Sequence, residues 1–176
     1  ETVAALSGLL KNMAKGFNEK VTLREELKFL EDYITIEKMR YMEMFDVETQ
    51  VEKEELYEAK IIKLTLQPLV ENAIFSGIEP GGKNGNIRIH IWQEENRLCV
   101  SVRDDGVGMT EEKIREIMEN PQKRKGDTMS GIGLPNVDQR IKLVYGESYG
   151  IHIRSRVGEY TEILVTLPIA VSYTHL

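Results

Sequence analysis

A single cysteine, Cys99, stands among 176 residues, so no internal disulfide can form. This excludes the small secreted domains that disulfides staple and points to a reducing compartment. No Cys/His cluster has metal-ligand spacing, which removes the zinc modules. No apolar run approaches the roughly 20 residues of a membrane span, and the sequence opens without the basic region, apolar core and cleavage site of a signal peptide. Positive charge is scarce as well: 23 basic against 29 acidic side chains give a net charge of −6. The only compact basic run, Lys123-Arg124-Lys125, neutralises too few phosphates for a nucleic acid, although it suffices for one polyphosphate. What remains is a globular composition, 41% hydrophobic and 30% charged. A chain of this length buries about 70% of its extended surface, as one domain or one domain with an appendage.

The acidity belongs to one segment: residues 19–60 hold 13 acidic and 7 basic side chains, and the rest of the chain balances at 16 and 16. Before it, Val3, Leu6, Leu10, Met13 and Phe17 alternate at steps of three and four. That rhythm fits a helix packed on another helix or docked on its own domain. Thr22 and Glu25 form a capping box that opens a second helix, with Leu23, Leu27, Leu30, Ile34 and Tyr41 on one face, running to about Met44. Phe45 to Val51 alternates apolar and polar residues, as a half-buried strand does. A helix from about Leu66 to Gly77 follows, with Thr65 as its cap and Pro68 tolerated in its first turn. Pro80, Gly81, Gly82 and Gly85 make Glu79 to Asn86 a loop.

Ile87, Ile89 and Ile91, then Leu98, Val100 and Val102, alternate with polar residues on either side of Glu95-Asn96, which predicts an antiparallel hairpin. Thr110 caps a short helix carrying Ile114, Ile117 and Met118, and Asn120 to Ser130 is a long aperiodic loop of the functional kind. A helix resumes near Leu134, and strands Ile151 to Val157 and Tyr160 to Leu167 turn about Gly158-Glu159. The part after residue 60 reads as α+β, about three helices on one face of a mixed, largely antiparallel sheet.

Of 14 glycines, 12 follow residue 76, and four fall in two short patterns, Asp104-Asp105-Gly106-Val107-Gly108 and Gly131-Ile132-Gly133-Leu134. Glycine lets a backbone turn with positive φ or approach a ligand closely. The first pattern follows a buried strand, which places the Asp104 carboxylate at a cleft, ready to accept from an exocyclic amine. The second opens a helix, whose first amides suit an anion. Alone each pattern fits an ordinary turn; together, with a basic loop between them, they favour a nucleotide. Neither a Walker loop nor a Rossmann fingerprint is present, and the element order is not βαβ.

Leu66-Gln67-Pro68-Leu69-Val70-Glu71-Asn72-Ala73, then Asp104-x-Gly106-x-Gly108, then Gly131-x-Gly133-Leu134-x-Asn136-Val137-x-x-Arg140 together resemble the asparagine box and two glycine boxes of sensor histidine kinases. The LQPLVENA form is typical of the LytS-like branch. Upstream, Leu9-Leu10, the capping-box helix and Ile36-Glu37-Lys38-Met39-Arg40-Tyr41 resemble that branch's linker helices. The resemblance covers about residues 5–168.

It implies the Bergerat α/β sandwich, shared with gyrase-type ATPases, preceded by an N-terminal helical linker. Residues 1–44 would be that linker, beside a dimerisation and phosphoacceptor segment outside this sequence; residues 45–168 would be the ATP-binding catalytic domain, and residues 169–176 a tail of no inferred function. ATP and Mg2+ are the implied cofactors. Asn72 would coordinate the magnesium, a hard ion suited to an amide oxygen. Asp104 would receive the adenine amine, Gly106 and Gly108 would shape the base pocket, and Gly131, Gly133 and Leu134 would offer amides to phosphate. Lys123 and Arg124 belong to the implied ATP lid, and Thr161 would reach the adenine side, although it reads equally as an ordinary strand threonine. The implied partners are a response regulator and a second copy of the parent protein through upstream helices, with a cytoplasmic domain on a membrane-anchored parent.

Glu71 would orient or deprotonate the attacking histidine, yet beside a metal ligand it also reads as a solvated helix residue. Gyrase-like hydrolases carry a water-activating glutamate four residues before the asparagine; here that place is Pro68. A proline has no base to offer, which argues for transfer to a protein acceptor. The branch usually continues past ENAI with a basic or aromatic residue and then His-Gly, whereas this chain has Phe75-Ser76-Gly77. That departure supports a competing reading, a degenerate non-catalytic module that works through its helices. No segment resembles the branch's acceptor motif. His90 and His152 lie in strands and read as partly buried structural imidazoles, and His175 lies in the tail.

Overall fold

The computed structural model describes residues 2–6, 19–119 and 133–169. Strand β1 (Lys20–Thr22) feeds directly into helix α1 (Leu23–Arg40). The predicted cap forms, the Thr22 hydroxyl accepting the Glu25 N–H at 3.1 Å. The helix stops at Arg40, short of Met44, because Met42 and Glu43 turn to φ 48° and 58° and swing the chain into β2 (Phe45–Val51). The buried stripe of α1 is also not the wholly apolar one expected. It consists of Leu23, Glu26, Leu30, Tyr33 and Glu37, while Leu27, Ile34 and Tyr41 flank it, partly buried.

Two short elements escaped the pattern reading. Glu54–Glu58 is a 3-10 turn, and β3 (Lys60–Ile62) pairs antiparallel with β1, Lys20 opposite Ile62. Three residues are too few to show an alternation. Helix α2 (Gln67–Asn72) continues as a π-helical stretch over Ala73–Ile78 and a 3-10 turn over Glu79–Gly81. Thr65 does not cap α2. Its hydroxyl donates to the Ile62 carbonyl at 2.5 Å, and the Glu26 carboxylate of α1 accepts the buried Leu64, Thr65 and Leu66 N–H groups of the turn before the helix.

The main sheet is built from β2, β4 (Gly85–Glu94), β5 (Arg97–Asp104), β6 (Gly150–Arg156) and β7 (Tyr160–Pro168), in the order β2-β4-β5-β7-β6. Only β2 with β4 is parallel. The expected loop to Asn86 is therefore shorter, since β4 starts at Gly85. Ile87, Ile89, Ile91, Leu98, Val100, Val102, Ile163, Val165 and Leu167 are all buried, the period-2 set of one face. Helices α2, α3 (Glu111–Glu119) and α4 (Leu134–Tyr145) cover that face, and Leu23, Leu30 and Tyr33 of α1 join the same apolar cluster. Thr110 caps α3 as expected, accepting the Lys113 N–H at 3.1 Å. The fold is the α+β class read from the sequence. Among the described residues no helix is long and apolar enough to cross a membrane.

Candidate functional site

At the end of β5 the inward row Leu98, Val100, Val102 terminates on a carboxylate, Asp104, 1% exposed. Period-2 alternation alone puts it there: its register partners are Ile87 of β4 and Thr161 of β7. The next residue, Asp105, points away; its oxygens accept the Asn86 backbone N–H at 2.7 Å and side-chain amide at 3.0 Å. One of the two adjacent carboxylates thus fastens the sheet, and the other faces inward. Burial pushes Asp104 up to about 7, against the Gly106 N–H that it accepts at 2.9 Å; Asp105 adds to the rise and Arg103 opposes it.

The glycine loop after Asp104 is held from two sides. The Gly77 carbonyl, on the π-helical continuation of α2, accepts the Val107 N–H at 3.0 Å, and the Val107 carbonyl accepts the Gly158 N–H at 2.7 Å. No side chain fits at these crossings. A Cβ on Gly77 would lie 2.6 Å from the Asp104 carboxyl carbon, and one on Gly106 would lie 2.6 Å from Gly77 Cα. Gly108 has φ +71°, and its Cβ would lie 2.7 Å from the Arg156 carbonyl carbon. Gly133, the residue before α4, differs: a Cβ there meets only Pro135 Cδ at 3.5 Å, so packing among the described residues does not require glycine.

Thr161 is 2% exposed, and its hydroxyl lies 2.8 Å from that of Ser155. Ser155 accepts the Met109 N–H and donates to the Tyr160 carbonyl, both at 2.7 Å. Its proton is therefore committed, Thr161 must donate to it, and the Thr161 oxygen keeps its acceptor capacity. Asp104, Gly106, Gly108 and Thr161 thus stand together. Ser155 and Gly77 complete the group and were missed. Gly77 carried a signal, the glycine closing the asparagine-box helix; Ser155, one serine in an edge strand, carried none.

Glu71 and Asn72 lie on α2, which packs against α4. Glu71 is fully buried, which removes the solvated reading, and Gln67 Nε2 donates to it at 3.0 Å. The Tyr33 hydroxyl is pushed upward, first by burial and then by Glu71 and Glu37. Asn72 is 8% exposed, and its side-chain nitrogen has no hydrogen-bond partner among the described residues. Pro68 is buried in the first turn of α2. Phe75 stacks edge-on to Tyr41 at 5.9 Å and under the Arg40 guanidinium. Leu134 is buried at the start of α4. Lys123, Arg124 and Gly131 lie outside the described residues. His90 is partly buried, stacked on Trp92 and 2.9 Å from Glu52, but His152 is exposed, contrary to expectation.

The family described as "Histidine kinase-, DNA gyrase B-, and HSP90-like ATPase" matches residues 58–171, and the family "Histidine kinase" matches residues 1–45. Among curated proteins, the sensor histidine kinase YesM of Bacillus subtilis strain 168 is 36% identical, over 94% of this chain and 27% of its own length. The sensor protein LytS of Bacillus anthracis is 28% identical, over 84% of this chain and 25% of its own length. The chain thus spans about a quarter of the relatives it matches. The solved catalytic domain of histidine kinase ThkA aligns with a TM-score of 0.59 at 18% identity, covering 86% of this chain and 95% of that one. ThkA solved in complex with response regulator protein TrrA aligns at 0.57 and 21% identity, covering 96% of this chain and 48% of that one. At these identities the structures speak to the fold.

Proposed function

Since this chain belongs to the family of histidine kinase-, DNA gyrase B- and HSP90-like ATPases, we propose that it binds Mg-ATP beside Asp104 and passes the γ-phosphate to a histidine on a segment outside this sequence. The observation that carries the reading is Asp104 itself, a carboxylate buried at a strand end behind two glycine crossings that admit no side chain. It would accept the adenine amine, with the Thr161 oxygen as a second acceptor. Gly106 and Gly108 hold the loop that shapes the base pocket. Gly133, uncrowded among the described residues, leaves room for phosphate against the first amides of α4, where Leu134 anchors the helix in the core and Gly131 extends the same sequence pattern.

Magnesium fits the donors present in one way. Among the described residues no group of three His, Cys, Asp or Glu side chains could hold a metal, so the ion would be held chiefly by phosphate oxygens, with the Asn72 amide oxygen as the protein ligand. When bound it neutralises phosphate charge. Glu71, held by Gln67 away from solvent, would orient the acceptor imidazole and take its proton. With Pro68 where a water-activating base would stand, protein transfer rather than hydrolysis is the assigned chemistry. A response regulator is the proposed downstream partner, as one is for ThkA, and dimerisation is assigned to upstream helices.

Titration with a fluorescent ATP analogue tests this reading; absence of binding favours the non-catalytic alternative, and rapid phosphate release favours a hydrolase. Asn72→Ala is expected to abolish the affinity gained from magnesium while leaving adenosine recognition intact, and a preserved magnesium gain removes Asn72 as ligand. Replacing Lys123, Arg124 and Lys125 with glutamine is expected to reduce the preference for ATP over ADP, since the run's charge would meet the γ-phosphate. Equal preference in both proteins would take the run out of the mechanism.

A further inference from the structure

Helix α1 buries a carboxylate that the nucleotide site does not use. Glu26, 2% exposed, reaches across to the turn before α2. One oxygen accepts the Thr65 and Leu66 N–H groups at 2.9 and 3.2 Å, and the other accepts the Leu64 N–H at 3.2 Å. From the opposite side, Arg140 of α4 donates to the Lys63 and Leu64 carbonyls at 3.2 and 3.1 Å. The residue held between them, Leu64, has φ +60°, in the left-handed region that a leucine side chain disfavours. Both polar groups of Leu64 are therefore committed, one to the linker helix and one to the helix that follows the second glycine pattern. No side chain caps the start of α2, so this hold fixes the turn that leads into a helix otherwise placed by its packing in the core.

We infer that Glu26 is a positioning residue of the proposed nucleotide site. From α1 it fixes the Leu64–Leu66 turn, and through that turn it fixes where α2 carries Glu71 and Asn72, with Arg140 completing the hold. The inference rests on the Mg-ATP reading above. Three amides and a guanidinium oppose the burial that pushes the Glu26 carboxyl up to about 7; Arg140 is in turn lowered by burial and raised by Glu26. A carboxylate that takes three backbone amides at once favours one arrangement of the turn that carries them. Because α1 lies within the residues matched by the histidine kinase family, any shift of α1 against the sheet moves the turn that leads into the helix that bears Asn72. The position of the linker is thereby read at the metal ligand.

Glu26→Gln keeps the shape but turns an N–H donor toward amides that need an acceptor. In the chain carrying this change, the ratio of fluorescent ATP analogue affinities with and without magnesium is expected to fall about tenfold. Affinity for adenosine, recognised at Asp104 on a different element, is expected to stay at the wild-type value. A wild-type magnesium ratio, or a parallel loss of both affinities, overturns the inference, whatever happens to the unfolding midpoint. If Glu26→Gln does not fold, hydrogen exchange on the wild-type chain decides. Protection of the Leu64, Thr65 and Leu66 amides is expected to rise several-fold with the magnesium–analogue complex, and unchanged protection overturns the inference. Failure of the wild-type chain to bind the analogue would instead overturn the Mg-ATP reading.

Discussion

Asp104→Asn is expected to weaken nucleotide binding by about 10- to 150-fold, because a buried charge-assisted hydrogen bond is worth roughly 1.5–3 kcal/mol. The amide keeps the volume and the bond to the Gly106 N–H, but offers a neutral oxygen where a carboxylate faced an amine. The effect has a pH signature. Burial holds Asp104 up near 7 in the free protein, and an amine donor favours the ionised form, which lowers that value in the complex. Affinity then rises with pH to a plateau above about 7 and weakens below it, by about tenfold between pH 8 and pH 6. Adenosine is the ligand to use, since it carries no titrating phosphate. Calorimetric titration across that range is expected to show the slope in the wild-type chain and none in Asp104→Asn. Equal affinities, or equal slopes, would remove Asp104 from adenine recognition.

Gly106→Ala is expected to be strongly destabilising. The added carbon would fall against the backbone of Gly77, and a peptide unit cannot rotate aside as a side chain can. Overpacking of this kind costs about 3 kcal/mol, which for a chain of this length lowers the melting temperature by about 6–12 °C. The Val107–Gly77 hydrogen bond would be lost with it, and Asp104, which touches Gly77, would shift. Gly133→Ala is the internal control. Its φ of −88° suits alanine and, among the described residues, its new methyl meets only Pro135, so stability is expected to stay within about 1 kcal/mol of wild type while triphosphate binding falls. Equal melting temperatures for Gly106→Ala and wild type would show that the loop is not held where the crossing places it.

Much of this was legible because two periodicities are hard to disguise. The alternation through Ile87–Ile91, Leu98–Val102 and Ile163–Leu167 set the sheet, and its continuation by one step put Asp104 and Thr161 on the inner face. The hydroxyl geometry that gives Thr161 a free acceptor was not legible, since it depends on Ser155, a lone serine in an edge strand. The stripe of α1 was misread for a clear reason. The apolar set gives Leu27 and Ile34, whereas the helix turns Glu26 inward because amides of a distant turn await it, and Glu37 goes in on the same stripe with only Arg40 of the same helix as an ion-pair partner among the described residues. Hydrophobic pattern reports which side chains water rejects, and it is silent about charges that find company elsewhere in the chain. Likewise Thr65 has the right chemistry for a cap, but its hydroxyl is spent on the Ile62 carbonyl and the N-cap position falls one residue later, on Leu66. The second glycine pattern was legible as motif; its first half and the basic run lie outside the described residues.

The strand order has a consequence for the sequence of events in folding. Strands β4 and β5 form a tight hairpin, as do β6 and β7, and such local pairs close in microseconds. Joining β5 to β7 is different, because it must close a long intervening stretch of chain, and the loop entropy is spent before the contact is rewarded. Asp104 and Thr161 face each other across that late seam. The place assigned to adenine is therefore made by the pairing with the longest loop to close in the main sheet. A ligand that grips both strands is expected to slow opening more than it speeds formation, lengthening the lifetime of the folded chain.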